Sequence, residues 1–295
     1  MATSLEGLKS TTVNGAVLAW CETGSGQPVI FVHGSASDIR TWDRQIPAIG
    51  ESYRAVGYSR RYARPNEDIE AGADDQMPPH VDDLIAFMQD IGAESAHLVG
   101  HSWGGFVALL TAIKTPQSVR SLVLLEPPIL TLFVSTPPKP GEILSLLIRD
   151  PGLAFAIIRF GATAFGPAKK AYQRGDDEAA MLAFGRGVLG NIALECLSAE
   201  RLQQVRDNKN ADRAQILGAG FPALDVDQVR RAQIPTLLLV GERSPKLLRK
   251  LSDRLHRLLP SSDLIEVPDA SHLMHEDNAG YVNDAIVEFL GRQAT

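Results

Sequence analysis

Short apolar runs and amphipathic stretches take turns along the first 127 residues. Residues 8–22 alternate around Asn14-Gly15, a hairpin-turn dipeptide, and predict an opening antiparallel pair of strands. Pro28-Val29-Ile30-Phe31-Val32, Tyr53 to Ser59, Ala96 to Gly100 and Val119 to Leu125 are runs of the kind found in strands covered on both faces. Between them Asp38 can cap a helix over about 39–50, and Pro78-Pro79 start another. In that second helix Val81, Leu84, Ile85, Met88 and Ile91 keep the helical period until Gly92. A third helix runs from Ser102 to Ile113 and stops at Thr115-Pro116.

The pattern changes at Pro127. From there to about Ala232 no strong strand is visible, Pro137-Pro138-Lys139-Pro140-Gly141 makes a stiff linker, and helices are expected over 142–149, 153–160, 177–189 and 196–207. Thr236 to Gly241 and Asp263 to Val267 then resume the buried-strand pattern, with a basic helix to Leu259 between them and a final helix over about 278–291. The expectation is an α/β protein: a mostly parallel eight-stranded sheet with helices on both faces. Its core is residues 1–127 and 233–295, and residues 128–232 form an inserted helical cap.

Composition narrows the partners. Hydrophobic residues at 44% and charged residues at 22% are ordinary globular values that argue against disorder and against a membrane protein. A net charge of -6 disfavours nucleic acid, which needs a basic face. Cys21 and Cys196 match no metal or redox spacing, and the start Met1-Ala2-Thr3-Ser4-Leu5-Glu6 has neither a basic leader nor an apolar signal core. A cytoplasmic monomer or homodimer follows, with no metal, no cofactor and no membrane contact.

The chemistry concentrates at Gly100-His101-Ser102-Trp103-Gly104-Gly105. A buried strand must turn there sharply into a helix, and the G-x-S-x-G spacing lets two backbones pass close to a strained serine whose hydroxyl projects at the strand's carboxyl end. The backbone N–H of Trp103, at the helix N-terminus, points towards an oxyanion formed at that hydroxyl.

Phe31-Val32-His33-Gly34, the elbow Gly100-His101-Ser102-Trp103-Gly104-Gly105 and His272 after the last strand together resemble the α/β-hydrolase superfamily over essentially the full length. The elbow is most similar to capped members of the dehalogenase and epoxide-hydrolase branch, whose nucleophile is an aspartate. Ser102 in its place argues for acyl transfer. Of the seven histidines, the resemblance assigns the base to His272 and leaves His275 an exposed or supporting residue at the opening of the final helix. His101 is expected to point away from the nucleophile. The family's usual acid position holds Ser244, which cannot stabilise an imidazolium. Glu126, at the end of the strand after the elbow helix and one strand spacing away, is the candidate acid, as some capped members place theirs there; Glu242 is the alternative, and Asp269 is too close to His272 in sequence.

The resemblance further implies oxyanion donors from Ser35 and Trp103, and a site contacted by His33, Gly34, Trp103 and, from an apolar cap, Phe133. Arg60, Arg61 and Arg64 either grip a substrate carboxylate or pair with Glu67, Asp68 and Glu70. The expected activity is cleavage of a small, mainly apolar carboxylic ester or lactone. Carbon–carbon bond hydrolysis, cofactor-free perhydrolysis and a slow-turnover ligand receptor are alternatives on the same residues.

Overall fold

In the computed structural model, β1 (Lys9–Val13) and β2 (Ala16–Thr23) pair antiparallel about Asn14 and Gly15, both with positive φ, as a two-residue hairpin turn requires. The parallel strands β3 (Pro28–Val32), β4 (Arg54–Tyr58), β5 (Ala96–His101), β6 (Val119–Leu125), β7 (Thr236–Gly241) and β8 (Ser262–Val267) follow. One eight-stranded sheet results, ordered β1-β2-β4-β3-β5-β6-β7-β8, with β2 also antiparallel to β4. The structure describes residue 5 and residues 7–293; Met1 to Ser4 and Glu6, the start read as lacking a signal, and residues 294–295 lie outside the described residues.

Successive strand residues feed opposite layers. Ile30, Val32, Leu98, Leu122 and Leu124 join one apolar cluster, Val29, Phe31, Val99, Val123 and Leu125 the other. Because both faces are covered, these strands read as unbroken apolar runs rather than alternations. On the second face lies α1 (Gln45–Ile49); on the first lie α2 (Met77–Asp90) and α3 (Ser102–Lys114). The helix expected over 39–50 is split into a 3-10 turn at Ile39–Trp42, capped by Asp38, and α1. Pro47 has no N–H to offer the carbonyl of Asp43, so one continuous helix cannot run through.

Between β6 and β7 lie only helices: α4 (Pro140–Arg149), α5 (Pro151–Phe160), α6 (Gly166–Gln173), α7 (Asp177–Leu189), α8 (Asn191–Glu195), α9 (Ala199–Asp207), α10 (Lys209–Leu217) and α11 (Val226–Arg231). Leu146 of α4 and Leu153 and Ile157 of α5 belong to the first core cluster, whereas Ala168, Tyr172, Ala180 and Ile216 form a small core of their own. The chain closes with α12 (Lys246–Leu258), α13 (Met274–Asp277) and α14 (Ala279–Gly291). Among the described residues no helix is long and apolar enough to cross a membrane.

The close approach that positions the elbow is visible at Gly104. A Cβ there would fall on the carbonyl oxygens of Val32 and His33, so α3 can start hard against the end of β3 only with glycine at this point. Gly104→Ala is expected to lower the urea unfolding free energy by about 3 kcal/mol. Gly280→Ala, where a methyl would meet nothing within 4 Å, should stay within about 1 kcal/mol of the parent.

Candidate active site

In the parallel register His101 of β5 lies opposite Leu125 of β6, so the residues that follow, Ser102 and Glu126, stand side by side at the carboxyl edge of the sheet. Both turn off their strands with left-handed backbone, φ 51° at Ser102 and 47° at Glu126. For side chains other than glycine such a conformation costs of order 1–3 kcal/mol, and it persists where surrounding packing holds it. Ser102 heads α3, whose first N–H groups have no partner within the helix.

The Glu126 carboxylate is fully buried and spans two elements. Oε1 accepts the Gly241 N–H of β7 at 3.1 Å, and Oε2 accepts from His272 Nδ1 at 2.6 Å. A carboxylate can only accept, so Nδ1 is the donor and Nε2 is the ring nitrogen left free of Glu126. His272 and Ser102 line the same cavity. Among the described residues the Ser102 hydroxyl has no hydrogen-bond partner, and it is only half-buried. Gly241 allows the loop bearing His272 to lie on β7, because a Cβ at 241 would collide with the carbonyls of Ala270 and Ser271.

Two further imidazoles back the first. His101 Nε2 donates to the His272 carbonyl at 2.9 Å, and the His101 ring lies 4.5 Å from the rings of both His272 and His275. His101 therefore props the backbone of His272 and borders the cavity instead of pointing away from it. His275, expected as an exposed or supporting residue at the opening of the final helix, takes the supporting place and lies in α13, ahead of that helix: it is fully buried, 4.9 Å from the Trp42 ring and 3.1 Å from Thr41 Oγ1. Asn278 caps the final helix separately, accepting from the Tyr281 N–H.

Ser244 is buried beside Gly241 with its hydroxyl unpartnered, while the exposed Glu242 uses Oε2 to accept the Asp269 N–H at 2.8 Å. Neither stands behind the ring. Ser35 borders the cavity, and Gly34 packs so close that a Cβ on it would sit 3.3 Å from Ser102 Cβ. His33, Gly34 and Trp103 are not among the cavity-lining residues. His33 is fully buried, its Nε2 accepting the Arg60 N–H at 2.9 Å and its Nδ1 donating to the Gly34 carbonyl at 2.9 Å. Trp103 is 4% exposed, wedged between His80 and Arg60. Phe133 borders a different cavity, beside Glu142 and Arg254.

The three arginines do not converge on a substrate anion. Arg60 is buried against the backbone of His33 and Gly34, Arg61 Nη2 donates to Asp83 of α2 at 2.6 Å, and the exposed Arg64 lies 3.9 Å from Asp207. The carboxylates local in sequence, Glu67, Asp68 and Glu70, are not their ion-pair partners.

The cavity itself measures about 100 Å³. Met181, Leu182, Phe184 and Val188 of α7 and Leu202 of α9 make its roof apolar. Arg201 of α9, which sequence reasoning missed, reaches its rim; Nη1 donates to Ser37 Oγ at 3.2 Å, and Nε lies 3.6 Å from Glu276. Apart from Gln204 its partners are about 75 to 165 residues away, so no local signal places it at the cavity. Among the described residues no group of three or more His, Cys, Asp or Glu side chains stands together as metal ligands.

The profile of the alpha/beta hydrolase family matches residues 29–285. The chain belongs to this family. Over 322 residues it is 23% identical to bifunctional epoxide hydrolase 2 of Sus scrofa, covering 95% of this chain and 54% of that protein, so it spans about half the length of that relative. Among solved structures it is similar to the carboxylesterase CesB of Bacillus subtilis, with TM-score 0.71, 18% identity and 96% and 90% of the two chains covered. It is also similar to the meta-cleavage product hydrolase CumD of Pseudomonas fluorescens IP01, with TM-score 0.62, 20% identity and 96% and 97% covered. At these identities the two structural likenesses speak for the fold.

Burial holds the pKa values of His33, His80, His97, His101 and His275 below the ordinary value, His97 at about 4. Each takes its proton less readily in the folded protein than in the unfolded chain, where it does so near pH 6.5, so as pH falls through that value the unfolded chain binds more protons and stability falls with pH. Asp212, pushed up by burial to about 6, acts in the opposite sense, as one group against five. Urea midpoints measured between pH 7.5 and 5 should therefore decrease steadily; a flat profile would contradict this balance.

Proposed function

We propose that this family member is a serine hydrolase that cleaves a carboxylic ester or lactone through an acyl-enzyme intermediate. The observation that carries the reading is the buried Glu126–His272 pair beside a strained, cavity-facing Ser102. The Ser102 hydroxyl attacks the carbonyl carbon while the free ring nitrogen of His272 takes its proton. Glu126 holds the resulting imidazolium in place, and the backbone N–H groups of Ser35 and Trp103 receive the charge that develops on the carbonyl oxygen. The imidazolium then protonates the leaving alcohol, and water, activated by the same ring, releases the acid.

Serine chemistry favours esters over the epoxides named for the Sus scrofa relative. Opening an epoxide with a serine hydroxyl would leave an ether, which water does not cleave, whereas an acyl ester is readily cleared. The helical segment between β6 and β7 serves as a cap over an apolar cavity of about 100 Å³, a size that suits a compact acyl group. Two free thiols remote in sequence suit the cytoplasm as the place of action.

Replacing Ser102 by Ala should abolish hydrolysis of p-nitrophenyl acetate. Glu126→Gln should lower kcat by about 10³- to 10⁴-fold, and Glu242→Gln should leave it within about twofold, since that side chain only braces the Asp269 backbone. Wild-type rates in Glu126→Gln would assign the acid to another residue, and an active Ser102→Ala would remove the nucleophile.

A further inference from the structure

Arg60, two residues beyond the end of β4, is 3% exposed and has no carboxylate within ion-pair distance among the described residues. Enclosing a cation in this way is costly unless every donor is used. Here Nη2 donates to the Gly34 carbonyl at 2.8 Å, Nε to the His33 carbonyl at 3.0 Å and Nη1 to His80 Nδ1 at 3.2 Å. The guanidinium carbon lies 4.2 Å from the centre of the Trp103 ring. His80 in turn donates from Nε2 to Asp75 at 2.6 Å, and Asp75 accepts from Gln215 of α10 at 2.7 Å. Burial lowers the guanidinium to about 10, which leaves it charged at neutral pH.

The Gly34 carbonyl and the Ser35 N–H share one planar trans peptide and point in opposite directions. Two donors, Arg60 Nη2 and His33 Nδ1, hold that carbonyl. Pinning the oxygen therefore aims the Ser35 N–H away from Arg60, towards the cavity that Ser35 shares with Ser102. A positive charge at the carbonyl end also polarises the peptide and strengthens its N–H as a donor. The face of Arg60 rests on the side chain of Trp103, whose own N–H is the other donor.

We propose that Arg60 is the positioning residue of the oxyanion site, one guanidinium orienting both amide donors, and that the His80–Asp75 relay ties its orientation to Gln215 in the cap. The assignment rests on the reading of Ser35 and Trp103 as oxyanion donors given above. A lysine would keep the charge but cannot span two carbonyls, an imidazole and an indole face at once.

The test compares wild type with Arg60→Lys in hydrolysis of p-nitrophenyl acetate and in inhibition by phenylboronic acid, which mimics the charged tetrahedral adduct on a serine. In folded Arg60→Lys, kcat should fall about 30- to 300-fold with KM within about threefold, and boronate affinity should fall in step with kcat. A general loss of packing would not divide the effect in that way. A kcat within about threefold of wild type, or a loss confined to KM with boronate affinity intact, overturns the assignment. Should Arg60→Lys fail to fold, Asp75→Asn decides: about three- to tenfold lower kcat and boronate affinity are expected, and no change in either overturns it. A wild-type protein that neither turns over the ester nor binds the boronate removes the serine-hydrolase reading itself, and the assignment with it. Retained wild-type activity with an unaffected variant removes the assignment alone.

Discussion

A single buried carboxylate joins three parts of the chain that lie far apart in sequence. Glu126 follows directly on β6, its Oε1 accepts the last N–H of β7, and its Oε2 accepts the Nδ1–H of an imidazole carried by the loop after β8. Inside the protein an unpaired carboxylate would be prohibitively costly, so both acceptors must be filled and the geometry of both donors is thereby fixed. That requirement explains why β7 ends in glycine: with a side chain at 241, the carbonyls of Ala270 and Ser271 could not come near enough for the ring to reach across. It also explains why the turn at 126 tolerates a left-handed backbone, since relaxing it would strand two hydrogen bonds in an apolar layer.

The sheet makes this meeting possible at all. Parallel neighbours in matched register bring equivalent strand ends to one edge, so the residues after His101 and Leu125 emerge side by side although 24 positions separate them. Behind the edge, Val99, Leu125 and Leu239 pack into one continuous layer, and the elements carrying Ser102, Glu126 and His272 are as rigid as the core itself. Reactive side chains held on such a support need not be gathered from solvent, and the strain at Ser102 and Glu126 is offset by burial elsewhere.

What the sequence makes legible follows from the range over which each signal acts. The turn at Ser102 is written in adjacent residues, and the strand pattern in runs of five to seven, so both can be read locally. The placement of Glu126 needs one extra rule, the right-handed strand–helix–strand crossover, which returns β6 beside β5. Which of its two expected places His275 takes is not legible, because its burial depends on Trp42 and Thr41, more than 230 positions away. The arginine-rich loop fails for the same reason. Its neighbours in sequence suggest Glu67 to Glu70 as partners, yet Arg61 finds Asp83 across a turn of α2, and Arg60 finds backbone carbonyls that carry no sequence signal. Pro47 is the opposite case, a local signal present in the sequence and outweighed by the helical periodicity around it.

Polar density beneath the helices between β6 and β7 is uneven, and that asymmetry bears on which wall of the cavity can move. Asp38, fully buried, accepts from Arg40 at 2.6 Å, from Gln204 of α9 at 2.8 Å and from Asn208 at 2.7 Å, while Arg40 also reaches Asp207 at 2.8 Å. The loop after β3 and the α9–α10 junction are thus locked by charge-assisted bonds that would each have to be broken and rehydrated for that side to lift. Among the described residues the roof contributed by α7 is anchored only at its start, where Asp177 lies 3.0 Å from Lys209 and 3.3 Å from Arg213, and Glu178 lies 2.8 Å from Arg206. Met181, Leu182, Phe184 and Val188 face the cavity through dispersion contacts alone, with Leu182 43% exposed. Apolar contacts of this kind can slide and re-form without leaving a polar group unsatisfied, so beyond its anchored start α7 is the more yielding wall of the cavity. The α9 side, held by Asp38, stays fixed, so the cavity that Ser35 and Ser102 border has one wall locked by charge and one apolar wall able to adjust.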